Sequence, residues 1–375
     1  MMKNELTPAQ PLSVCLIGSP PSERFHSMDI YEMGLAGGLY GIEGIDLRRQ
    51  QWPATGIPKN KYLSAIMTYW NRSCRYPMLL NPPVSDLYHI LDHSYAHLIT
   101  KLPREKTIIT CHDLMPMMVE CYENTIGGKL SLASFRHSVS CLNKARHILA
   151  DSGATKNALI DILKLADKNI TVVPLGVDEI FCPTKPGQDH KESDKTKYIL
   201  QVGATAEPYK NTMNILRSFS LLFKRGGGQI KLLKVGKPYT KEQLGFIESE
   251  GLAAQIRYLG FVDRKELPKV YRQASVLLMP SLYEGFGMPL LEAMASGIPV
   301  VASRRGSIPE VAGEAAFYVD PDDPKDIARG VEKVLNDSTL RQDLITKGLL
   351  RAKAFTWKRT AEETLMVYRK IIDSN

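Results

Sequence analysis

No stretch of the 375 residues approaches the ~18 consecutive apolar residues that a membrane-spanning helix needs. Six cysteines are present, at positions 15, 74, 111, 121, 141 and 182, and none forms a close Cys-x-x-Cys pair. Neither a disulfide framework nor a zinc site is therefore expected. Cys15 and Cys111 fall within apolar runs, where a reduced cysteine is simply a small hydrophobe. The formal charge is +8, yet no long run of like charge carries it. Without such a run, and without a nucleic-acid-binding motif, nucleic acid is not an expected partner. The plainer reading of the excess is a solvated basic surface; the sharper one is attraction to anionic lipid or phosphorylated substrates. The first ten residues hold no signal-peptide core. The expected location is the cytoplasm, with association at the inner face of the cytoplasmic membrane as an option. No Gly-x-Gly-x-x-Gly follows the first apolar run, which argues against a plain dinucleotide oxidoreductase.

What is present is an alternation. Short apolar runs bounded by turn residues read as buried parallel strands. They occur at Leu12–Gly18, Leu87–Leu91, Thr107–Cys111, His147–Ala150 and Ile170–Val173. Helix-like stretches such as Ile30–Leu39 and Leu130–Ala145 lie between them. The polar segment 184–196 then reads as a linker. Strands restart at Tyr198–Val202, Ile230–Val235, Ile256–Leu259, Val276–Met279, Val300–Ala302 and Ala316–Val319. Helices fit Met213–Phe223, Lys241–Glu250, Arg264–Gln273, Pro289–Ala295 and Pro324–Leu335. The expected architecture is α/β, with one domain over residues 1–183 and a second over 197–355. A final helix over 356–375 is expected to cross back to the first domain.

In open α/β sheets ligands bind beyond the carboxyl ends of the strands. That rule selects Ser281–Ser303 (SLYEGFGMPLLEAMASGIPVVAS), which reads as turn, helix and strand. Pro289 suits the first helical turn, where a missing N–H costs nothing. Gly285 and Gly287 let backbone amides approach a ligand at a helix N-terminus, whose field favours phosphate. Glu284 and Glu292, with seven residues between them, can each hold vicinal hydroxyls of a sugar or ribose. The plainer reading is an ordinary turn and helix flanked by two surface glutamates.

The segment resembles the signature of the retaining glycosyltransferases of family 4, which have the GT-B fold of two Rossmann-like domains facing across a cleft. Glu284-Gly285-Phe286-Gly287 opens the match and Ala293 to Val301 closes it. The resemblance implies that Glu284 contacts the donor sugar and that the amides of Phe286, Gly287 and Met288 face the sugar or diphosphate. It implies that Glu292 binds the ribose hydroxyls. Further back, Gln201-Val202-Gly203 is followed by Glu207-Pro208-Tyr209-Lys210-Asn211. In the family such a lysine neutralises the diphosphate, a role that falls to Lys210. Many relatives have arginine directly after the glycine; this chain has Ala204, and Tyr209 replaces another frequent arginine. Leu259-Gly260-Phe261-Val262 resembles the segment whose backbone receives the nucleotide base, although the Phe261 ring could equally be core. Thr110-Cys111-His112-Asp113 resembles a segment whose histidine, His112, lies near donor sugar or acceptor.

Other features have plainer readings. His89, His93 and His97 are spaced by four, but the apolar run at 87–91 would divide them among strand, turn and helix, which disfavours a metal site. Asp320-Pro321-Asp322 suits a helix N-terminus better than a cation. By resemblance, no metal or cofactor is needed. The expected partners are a GDP- or UDP-sugar and a glycan or lipid-linked acceptor. The run from Val202 to Asn211 resembles bacterial mannosyltransferases and tilts the donor to GDP-mannose, with a UDP-glucose-type donor as the alternative. A nucleotide-sugar epimerase or hydrolase and a silent binding scaffold are the rival readings.

Overall fold

The computed structural model describes residues 11–20, 26–53, 67–118, 126–184, 196–226 and 229–374. Cys121 and nearly all of the expected linker lie outside them. The chain divides into two compact units. The first comprises 1–176 with 357–375, and the second comprises 177–356.

The first unit is built on six parallel strands in the order β2-β1-β3-β4-β5-β6. These are β1 (Leu12–Ile17), β2 (Ile45–Arg49), β3 (Leu87–Ile90), β4 (Thr107–Cys111), β5 (His147–Ala150) and β6 (Ile170–Val172). Every residue of β3, β4 and β5 is buried, as both-face coverage by crossover helices requires. The edge strand β2 was not expected. Its sequence, IDLRR, is half-buried throughout and ends in two arginines, so it carries no continuous apolar run. Helices α1 (His26–Tyr40), α2 (Ile126–Ser140) and α3 (Gly153–Leu163) belong to this unit. The last helix of the chain, α10 (Trp357–Asp373), packs on α1. Gly34 and Gly38 make that approach possible: a Cβ at either would come within 2.1 Å and 2.6 Å of Trp357 atoms. A further link is Tyr368, whose hydroxyl lies 2.6 Å from His89 Nδ1 on β3.

The second unit repeats the plan with the order β12-β11-β10-β7-β8-β9. Its strands are β7 (Lys197–Val202), β8 (Ile230–Val235), β9 (Ile256–Gly260), β10 (Val276–Met279), β11 (Val300–Ser303) and β12 (Ala316–Val319). Its longer helices are α4 (Thr212–Lys224), α5 (Lys241–Ser249), α6 (Leu267–Gln273), α7 (Met288–Ala295), α8 (Pro324–Asn336) and α9 (Ser338–Ala352). Helix α6 starts three residues later than expected, because Pro268 occupies its first turn. Arg264 is thereby left in the preceding turn. The strand order reverses between β7 and β10, and the crevice beyond their carboxyl ends is where a doubly wound sheet binds its ligand.

Candidate functional site

The turns that follow β7 and β10 are tied together at that reversal. Lys210 ends a short turn, and Asn211 then adopts a left-handed conformation (φ 57°) before α4 begins. The Asn211 side-chain amide donates to the carbonyls of Pro280 (3.0 Å) and Pro321 (2.7 Å). Leu282 N–H donates to the Tyr209 carbonyl at 2.7 Å. These bonds bring Lys210 Nζ to 2.9 and 2.8 Å from the two carboxylate oxygens of Glu284. Glu284 is buried and its backbone is clamped from the other side. Its carbonyl accepts from Ser307 Oγ at 3.0 Å. Gly306 packs so closely that a Cβ there would lie 2.8 Å from Glu284 N and O. The Gly-Ser pair at 306–307 was the sequence signal for this clamp, and it went unread.

Gly287 (φ 98°) is the N-cap of α7, and Pro289 occupies the first turn. Gly285, Phe286, Gly287 and Met288 therefore bring their backbone to the start of a helix beside the Lys210–Glu284 pair. The Phe286 ring faces inward, edge-on to Phe355 with centroids 6.0 Å apart, so only its backbone is placed for a ligand.

Glu292 lies one turn into α7 and is buried. Arg264 NH1 donates to its Oε1, and Tyr271 Oη donates to its Oε2 at 2.7 Å. Arg264 Nε also donates to Asp178 at 2.9 Å, and its guanidinium lies over the Phe181 ring at 4.7 Å. Burial pushes the Glu292 carboxyl above its usual range, against the pull of Arg264. The carboxylate expected to hold ribose is thus already engaged on both oxygens by protein donors. Each oxygen retains a further lone pair for a hydroxyl. Arg264, Tyr271 and Asp178 were not singled out in this role, because Asp178 and Glu292 lie far in sequence from the Arg264–Gln273 stretch that holds the other two. Phe261 and Val262 follow β9, and the Phe261 ring is 77% exposed rather than part of the core.

In the first unit His112 follows β4 and is buried. Its Nδ1 lies 2.7 Å from Asp151 Oδ2 and its Nε2 lies 2.8 Å from the Leu91 carbonyl. Both partners can only accept, so both ring nitrogens must donate and the ring is an imidazolium. Burial opposes that charge, but Asp151 and Asp92 outweigh it and raise the pKa to about 9. His112 therefore has no free ring nitrogen here; it meets a ligand only if one of these partners is given up. Asp92 accepts from Ser19 Oγ and Ser94 N, both at 2.8 Å, and so ties the turn after β1 to the turn after β3.

The histidine triplet is divided between two elements rather than the expected three. His89 lies on β3, while His93 and His97 lie in the short helix that follows. His89 bonds Tyr368 and Thr110, and burial with the nearby His112 charge lowers its pKa to about 3. His97 bonds Ser138 and the Arg72 carbonyl. The carboxylates near Asp320 serve local structure. Asp323 caps α8 through Lys325 N at 2.8 Å, and Asp320 accepts from Asp322 N at 3.0 Å. No helix among the described residues is long and apolar enough to cross a membrane.

Two doubly wound sheets, one carrying a lysine–glutamate pair and a glycine-opened helix at its switch point, define a GT-B architecture. The family model for glycosyl transferases group 1 matches residues 185–351, and that for glycosyltransferase family 4 matches residues 58–181. The chain belongs to this glycosyltransferase family. The O-antigen chain mannosyltransferase B of Escherichia coli is 29% identical over 71% of this chain and 70% of its own length. The serotype-specific mannosyltransferase WbdA of the same species is 28% identical over 72% of this chain, which spans only 34% of that longer relative. Among solved structures, a sucrose-phosphate synthase from Thermosynechococcus elongatus superposes with a TM-score of 0.71 at 19% identity. It covers 97% of this chain and 100% of its own. Anabaena HepE in complex with UDP-glucose superposes with a TM-score of 0.70 at 15% identity, covering 97% of this chain and 100% of its own.

Proposed function

We propose that the protein is a retaining hexosyltransferase that moves mannose from GDP-mannose to a glycan or lipid-linked acceptor, without a metal ion. The observation that carries this is the Lys210–Glu284 pair beside the glycine-opened start of α7. In this reading the donor diphosphate takes over the Lys210 ammonium, which stabilises the negative charge that develops as the sugar–phosphate bond breaks. Glu284, released from Lys210, receives hydroxyls of the sugar. The amides of Gly285 to Met288 add N–H donors at the helix start. No side chain at this site stands as an isolated nucleophile, and Lys210 and Glu284 occupy each other. The same-face route, in which the departing phosphate takes the acceptor proton, needs no protein nucleophile. Catalysis then rests on orientation and electrostatics.

Mannose is favoured because the relatives that align over 71–72% of the chain are named mannosyltransferases. The UDP-glucose bound to HepE makes a UDP-glucose-type donor the alternative. The acceptor belongs, in this reading, to polysaccharide assembly at the cytoplasmic face of a membrane. A thermal-shift screen of nucleotide sugars, followed by product analysis, tests the proposal. GDP-mannose should raise the melting temperature most, by mass action on the folded state. Stabilisation by no nucleoside diphosphate or nucleotide sugar would sink the reading. Release of free sugar without an acceptor would convert it to a hydrolase.

A further inference from the structure

Lys234 lies near the carboxyl end of β8, the second strand from one edge of the second unit's sheet, with 0% exposure. Its ammonium donates to two carbonyls, Gly203 at 2.6 Å and Val235 at 2.5 Å. No carboxylate pairs with it among the described residues. Burial is its sole perturbation and lowers its pKa to about 8. A buried cation without a counter-charge is expensive, and a chain that retains one must gain something from it.

The bond to Gly203 indicates what. A trans peptide holds C=O and N–H in opposite directions. With the Gly203 carbonyl drawn inward to Lys234, the N–H of Ala204 points outward from the ends of β7 and β8. That amide makes no hydrogen bond among the described residues. Gly203 has φ 123°, a conformation open to glycine, and a Cβ on it would stand 4.0 Å from Lys210 Cε. Lys234 therefore lies behind the same glycine that Lys210 faces. Ala204 also stands where many members of the resembled family carry arginine.

We propose that Lys234 is a positioning residue for the donor's diphosphate: it turns the Ala204 amide outward as an anion donor and supplies the buried positive charge behind it. It thereby takes over in this chain the task of the missing arginine. The inference rests on the nucleotide-sugar reading above and extends it. No atom of Lys234 touches the donor; the diphosphate completes the counter-charge that the protein omits.

The test is calorimetric titration of GDP and UDP, with guanosine and uridine as controls that lack the diphosphate. Lys234→Met keeps the stem and removes the charge. Lys234→Gln keeps N–H donors and also removes the charge. Both should weaken the better-binding diphosphate about tenfold or more. Both should leave the nucleoside within about twofold, and Lys234→Arg should restore most of the loss. Should the two neutral variants fail to fold, wild-type protein labelled with 15N-alanine answers instead. Its Ala204 amide proton should move downfield with the diphosphate and not with the nucleoside. Equal diphosphate affinity in wild type and both neutral variants, equal losses for diphosphate and nucleoside, or an unmoved Ala204 amide overturns the proposal. Diphosphate affinity retained by Lys234→Gln alone also overturns it, since hydrogen bonding would then suffice. Absence of diphosphate binding by the wild type removes the donor reading together with this inference, whereas wild-type binding with unaffected variants removes this inference alone.

Discussion

His112 and Lys234 are both sealed inside their own units, and the two units treat them in opposite ways. His112 is held between Asp151 and the Leu91 carbonyl, with Asp92 nearby, and its pKa rises to about 9. Lys234 meets only carbonyl dipoles, and its pKa falls to about 8. The burial is alike; the counter-charge decides the sign. A paired buried cation is a structural rivet, complete without a ligand. An unpaired one leaves its site electrostatically open, which is the state an anion-binding unit needs. Lys210 falls between the two, since it is paired with Glu284, a counter-charge that the phosphate of the proposed donor would displace.

The contrast breaks most visibly at Lys210. Glu284→Ala leaves that ammonium uncompensated, as Lys234 is, and removes the carboxylate proposed to hold the sugar. Turnover should fall by about 10²–10³-fold, as for loss of an aligned polar group at the reacting centre. Arg305→Ala removes only an exposed pair with Asp322 and should stay within about twofold. Steady-state kinetics with the donor identified by thermal shift compares them, and equal turnover would take Glu284 out of the site.

Asp151→Asn makes His112 resemble Lys234. Stripping one partner from a buried pair costs about 3–5 kcal/mol. The His112 pKa should also drop from about 9 to below its ordinary 6.5, because burial then wins. Urea unfolding measures the first effect and NMR titration of the ring measures the second. A ring that still titrates near 9 would show that Asp92 alone suffices.

The two cations also give stability opposite dependences on pH. His112 has a folded pKa raised from 6.5, so its contribution is complete below pH 6.5 and is lost as pH rises through about 9. Lys234 has a folded pKa depressed from 10.5, so its burial penalty is full below about pH 8 and is relieved as pH rises toward 10.5. Each shift corresponds to about 3 kcal/mol. Denaturant melts of the wild type should therefore weaken from pH 6.5 and recover part of the loss above pH 8. Asp151→Asn should flatten the fall, and Lys234→Met should flatten the recovery. A recovery that survives in Lys234→Met would assign it to another group.

Much of this was legible in the sequence because the sheet centres are buried on both faces. Strands such as Ile108–Cys111 and Leu277–Met279 can only be apolar runs, and the glycines and proline around Glu284 announce a helix start. The edges were less legible: β2 mixes Asp46, Arg48 and Arg49 into a half-buried strand, and α9 spreads few apolar residues over 15. Lys234 was passed over because a lysine between Leu233 and Val235 reads as a solvated strand position. Only the third dimension shows that its ammonium ends under Gly203. Arg264 was passed over for a related reason, since its partners Asp178 and Glu292 lie 86 and 28 residues away.

The smallest expected effect concerns Glu292, the buried carboxylate that mirrors Lys234 in sign. It is supported by Arg264 and by Tyr271 Oη at 2.7 Å. Tyr271→Phe removes one donor and leaves the ion pair, at a cost of about 1–2 kcal/mol. Loss of that hydrogen bond to the carboxylate should raise the Glu292 pKa further, so the stability deficit should be full where the carboxylate is ionised and shrink as falling pH protonates it. If Glu292 also holds ribose, the vacated lone pair is available to a hydroxyl, and nucleoside affinity should hold steady or improve in the variant. A loss of nucleoside affinity as large as that in Glu292→Gln would instead mean that the tyrosine aims the carboxylate.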